Sequence, residues 1–239
     1  MTIAGFFANG ISYRLPHPRL DDAVLLVAHD AICRGFELLR QSPPPNFTLA
    51  TAGEDEITRQ LQWVLENRLR KNGEVAGFDE RVFRKVWRAP EVTNVDGNHP
   101  AKKPDLVFEL ARDEPLVLST HDALFVESKP VGKTHPLTTD YCDAGAKRFI
   151  NGDYAWAMQE AMMVAYVRDG YKLAANLAPV LALEPRHSAL GKPGAFQTVG
   201  AMPATGEALC FTQHARSFVW PGGFGPASTI RLFHSWHTC

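Results

Sequence analysis

Cysteine is scarce in this chain: four in 239 residues, Cys33, Cys142, Cys210 and Cys239, with no close pair among them. That scatter argues against a disulfide framework or a zinc ribbon and reads as small apolar core residues in a reducing compartment. Long apolar runs are missing too. The longest early one, Ala23 to Ala28, falls far short of the ~20 residues that span a bilayer, and no basic-then-apolar leader pattern stands at the N-terminus. A cytoplasmic protein without a membrane partner is expected. Charge of one sign is also lacking. The formal net charge is -1, so no global attraction draws the chain to a polyanion, and any nucleic-acid contact must come from local patches. There are no repeats or low-complexity segments. Gly222-Gly223-Phe224-Gly225 lacks the Gly-Lys-Ser/Thr of a phosphate-cradling loop and reads as a turn. His29-Asp30 and His121-Asp122 lack the further spaced histidines of a metal-dependent phosphohydrolase. His234, His237 and Cys239 invite a zinc reading, but on a strand His234 faces away from the other two and no fourth ligand is evident.

What is present centres on Phe125-Val126-Glu127-Ser128-Lys129-Pro130. In an extended strand Glu127 and Lys129 leave on one face while Val126 and Ser128 leave on the other. The apolar run Ala123 to Val126 marks this strand as buried, and an ionisable pair at its end is costly unless it has partners or a task. Pro104-Asp105-Leu106-Val107-Phe108-Glu109-Leu110 alternates polar and apolar, and the polar stretch from Ala111 to Asp122 joins the two as a hairpin. A turn centred on Leu116 sets Asp105 directly across from Glu127. Two facing carboxylates repel unless a proton or cation lies between them, and their oxygens suit a hard divalent ion.

Pro104-Asp105 followed by Glu127-x-Lys129 resembles the signature of the PD-(D/E)xK, or restriction-endonuclease-like, nucleases. That resemblance implies an α/β core of helix, three antiparallel strands, helix and strand. It also implies hydrolysis of nucleic-acid phosphodiesters, DNA ahead of RNA, as in bacterial phage-defence enzymes. Asp105, Glu127 and the carbonyl of Ser128 would hold Mg2+ or Mn2+, Lys129 would serve the reaction, and Glu54 would match the acidic residue that many members bring from the first helix. Gln159 resembles a glutamine that some members carry on the helix behind the metal-binding strands. Lys102, Lys103 and Lys133 are the lysines placed to meet a phosphodiester. Members often act as dimers or with a protein partner, and a partner that delivers substrate suits a chain with little basic surface. The alternative is a binding or scaffolding subunit that keeps the fold without the chemistry.

The remaining chain fits this order as a single domain: residues 1–50 as an N-terminal elaboration, 51–185 as the core, 186–239 as a β-rich extension. A helix is expected from Asp21 to Gln41, stopped by Pro43-Pro44-Pro45. A second runs from Gly53 to Lys71, with Ile57, Leu61, Val64 and Leu65 on one stripe and a capping box Thr51-x-x-Glu54 at its start. Val82 to Arg88 is the first strand, its Arg84, Lys85 and Arg88 on a solvated face. A helical stretch follows over Tyr141 to Ile150, then a buried helix from Asp153 to Arg168, then Leu177 to Glu184 as the last core strand. Ala208 to Thr212, Arg216 to Trp220 and Thr229 to Trp236 read as further strands.

Overall fold

The computed structural model describes residues 14–112, 117–201 and 208–239. The predicted turn centre Leu116 and the first 13 residues lie outside that range. The protein is mixed α/β, with helices around one seven-stranded, mostly antiparallel sheet. Helix α1 (Asp22–Gln41) starts on the Asp21 side chain, which accepts from the Ala23 N–H. Helix α2 opens as Glu54–Val64, widens through Leu65–Leu69 and ends in Arg70–Asn72, where Gly73 closes it at φ 65°. Its Ile57, Leu61, Leu65 and Leu69 are fully buried, as the stripe requires. The expected capping box does not form. Gly53 occupies the N-cap position with no side chain to offer, which leaves the Glu54 carboxylate available elsewhere.

Strands β1 (Phe83–Arg88), β2 (Leu106–Leu110) and β3 (Ala123–Val131) form an antiparallel meander. The β2–β3 register pairs Leu106 with Val126, which carries Asp105 to the level of Glu127, as a turn centred on Leu116 demands. Phe83 and Phe108 of this meander meet edge to face and Phe78 packs tilted against both, each fully buried and each worth about 1.5–3 kcal/mol of burial. Helix α3 follows, wide-turned over Leu137–Ala146 and regular over Lys147–Asn151.

Two expected elements exchange character. Residues 160 to 167 are strand β4 (Glu160–Val167), not the second half of a helix, and β4 pairs in parallel with β3. Every residue of β4 is buried, and a strand covered on both faces shows a continuous apolar run that periodicity cannot tell from a buried helix. Residues 177 to 182 are helical, not the last core strand: α4 runs through Leu173–Leu177 and Ala178–Ala182, with Pro179 in the first turn of the latter, where a helix tolerates it. The order helix, three antiparallel strands, helix, strand therefore closes at Val167.

Residues beyond 186 do not form a separate layer. Strands β5 (Gln197–Ala201), β6 (Ala208–His214) and β7 (Ile230–Thr238) join the same sheet in the order β1-β2-β3-β4-β7-β6-β5, with β7 parallel to β4. Arg216 to Trp220 does not form a strand; a lone bridge links Val219 to Pro226. Among the described residues no helix is long and apolar enough to cross a membrane.

Candidate functional site

The β3 strand carries Glu127 and Lys129 on one face, β2 approaches with Asp105, and the first turn of α2 lowers Glu54 toward them. The Lys129 Nζ donates to Glu54 Oε1 at 2.6 Å, lies 2.9 Å from Glu127 Oε1 and 3.8 Å from Asp105 Oδ2. The Ser128 backbone N–H donates to Asp105 Oδ2 at 2.6 Å and pins that carboxylate across the hairpin. Three carboxylates and one ammonium from three separate elements thus share one end of the sheet.

Two residues complete the cluster that sequence reasoning passed over. Tyr154 donates its hydroxyl to Glu127 Oε2, and Arg148 places Nη1 3.4 Å from Glu127 Oε1 and donates to the Tyr154 hydroxyl at 3.1 Å. Arg148 is legible only once α3 is known to cross above β3. Tyr154 follows Gly152, whose φ of 77° ends α3 and turns the chain back under the strand. Gly145 of α3 faces the sheet here: a Cβ there would sit 2.6 Å from the terminal Met163 Cε, which would have to shift, and 3.4 Å from Lys129 Cγ.

Electrostatics follow from this crowding. Burial, and then the neighbouring Glu127 charge, push the Asp105 carboxyl up to about 7 against the pull of Lys129 and the Ser128 N–H. Burial also raises Glu127, opposed by Lys129, Arg148 and Tyr154. For Lys129 burial favours the neutral amine, but Glu127, Asp105 and Glu54 together outweigh it and hold the ammonium above its ordinary value. The cluster has more carboxylate than cation. It opens on a cleft of about 310 Å³ walled by Glu54, Lys129, His135, Asp140, Arg148 and Arg168. The Arg168 guanidinium donates to the Ala52 carbonyl at 2.6 Å and so holds the loop leading into α2 against the end of β4.

The other sequence candidates are not gathered here. Lys102 pairs with Asp153 at 3.0 Å and Lys103 with Glu91 at 3.2 Å. Lys133 is exposed just past β3, where its backbone N–H donates to Asp169. Gln159 is not on a helix. It precedes β4, donates to the His17 carbonyl at 2.8 Å and accepts from Arg19, so it braces the N-terminal segment four residues along from Met163, the partner of Glu127. His234 and His237 point to opposite faces of β7: His234 bonds Tyr141 and Thr212, His237 bonds Ser235.

Comparison of the chain with known proteins finds no matching family model, curated protein or solved structure.

Proposed function

We propose that this chain is a metal-dependent nuclease with a restriction-endonuclease-like core, and that the cluster of Glu54, Asp105, Glu127 and Lys129 is its active site. The observation that carries this reading is the convergence of three carboxylates on one lysine at the junction of an antiparallel hairpin with a parallel strand. Three supports accompany it: the order of elements, the register that sets Asp105 opposite Glu127, and the raised Asp105, whose proton marks a place where positive charge is favoured.

The donor set suits a hard divalent cation, because it offers carboxylate oxygens without thiolate or imidazole. Asp105 and Glu127, with the Ser128 carbonyl, would hold Mg2+ or Mn2+. Such an ion supplies Lewis acidity toward a phosphoryl oxygen and acidifies a water. The remaining work belongs to the chain. Glu54 fixes the Lys129 ammonium, which orients the attacking water and stabilises negative charge on the phosphoryl oxygens. Arg148 and Tyr154 hold the Glu127 carboxylate in place and oppose the effect of burial on it.

Binding of Mn2+, followed by electron paramagnetic resonance, separates these roles. Asp105→Ala is expected to abolish binding, while Lys129→Ala keeps affinity within a few-fold. Equal binding by wild type and Asp105→Ala would remove the proposed metal site.

A further inference from the structure

A second group of donor atoms, chemically distinct from the acidic cluster, lies where α1 meets β7. His29 and Cys33 stand one turn apart on α1, so both side chains leave the same face of that helix. β7 brings His237 to them. The three residues are buried, and one donor atom of each lies within 4.8 Å of the others. Cys33 Sγ is 3.6 Å and 3.8 Å from the two ring nitrogens of His29. A tetrahedral zinc ion, with bonds of about 2.3 Å to sulfur and about 2.0 Å to nitrogen, separates such ligands by about 3.5 Å. The separation is that of two ligands of one ion, and because Sγ is nearly equidistant from both nitrogens the His29 ring must turn to aim one of them at that ion. Ser235 Oγ lies between the two rings, 2.9 Å from His29 Nδ1 and 2.7 Å from His237 Nε2, and adds a fourth polar atom. Phe36 stacks on His237 with ring centroids 4.3 Å apart and fixes its plane.

We infer that His29, Cys33 and His237 form a zinc-class metal site that clasps α1 to β7, with Ser235 or a water completing four-coordination. Thiolate and imidazole donors select zinc or a similar borderline ion over magnesium, so this site and the carboxylate cluster differ in the metal they take. Of the three, His29 alone borders a cleft, with Val167, Tyr171, Leu173, Trp236 and Thr238 at the ends of β4 and β7. The ion would tie together two elements 200 residues apart in sequence. Burial of all three side chains suits a structural ion.

The test is titration of chelator-stripped full-length protein with Co2+ and then Zn2+. One equivalent of cobalt should give a thiolate-to-cobalt charge-transfer band and tetrahedral visible bands, both bleached by zinc. Zinc at about 100 times its dissociation constant should raise the melting temperature by about 5–10 °C. Cys33→Ala should lose the band and the shift, and alanine fills that core position with little loss. Cys210→Ser, which removes a thiol elsewhere, and Asp105→Ala should keep both. His237→Ala should lose the tetrahedral bands, and if it does not fold Cys33→Ala decides alone. No charge-transfer band in wild type, or a band that survives Cys33→Ala, would overturn the assignment and leave a hydrogen-bonded core cluster.

Discussion

Asp105 is the residue on which the site's pH behaviour turns. Its carboxyl rests near 7 in the folded chain and near its ordinary value when unfolded, so between those values the folded state holds a proton that the unfolded chain has released. The contribution is fully present below about pH 4 and is lost as pH rises through about 7, a change on the order of 2–4 kcal/mol. Denaturant melts of metal-free protein from pH 5 to 8 should show this fall, and Asp105→Asn should flatten it; an identical slope in the variant would remove Asp105 as its source. Divalent-ion affinity should run the other way, climbing up to about pH 7 as the carboxylate ionises. Tyr154→Phe removes one donor from the buried Glu127 carboxylate and is expected to cost about 1–3 kcal/mol in the same melts. A cost near zero would mean that Lys129 and Arg148 suffice to hold Glu127.

At the scale of elements, the hairpin was readable because alternation and turn position are local. Leu106 and Phe108 pair with Val126 and Leu124, where a turn centred on Leu116 puts them. β4 was not readable, because Glu160 to Val167 is buried on both faces and its Ala and Met residues favour helix as much as strand. The same ambiguity hid α4, where Leu177 to Leu183 looks like a strand until Pro179 is placed in a first turn. Arg148 and Tyr154 escaped for a different reason: their role depends on how closely α3 crosses β3, which no local pattern in the sequence encodes. Gly145→Val places a Cβ 2.6 Å from Met163 Cε and adds two methyl groups beside Lys129, and should lower stability by about 1–3 kcal/mol as the buried methionine repacks. Thermal melts beside Mn2+ affinity and cleavage rate would check this, and an unperturbed variant would show that α3 moves freely over the sheet.

Across the whole molecule, one sheet carries both halves of the sequence. β7 lies between β4 and β6, so the last residues of the chain complete the middle of the sheet and do not decorate its edge. A chain ending at residue 229 would strip β4 of a full parallel partner and is expected to lose its cooperative melt; a sharp, native-like transition in that truncation would contradict a single cooperative unit. The central claim is chemical, and cleavage tests it most directly: single- and double-stranded DNA and RNA incubated with Mg2+, Mn2+ or EDTA, wild type against Lys129→Ala. Metal-dependent cutting of at least one substrate is expected, lowered by about 10²-fold or more in the variant. Cutting that persists in EDTA, or that Lys129→Ala retains in full, would contradict it.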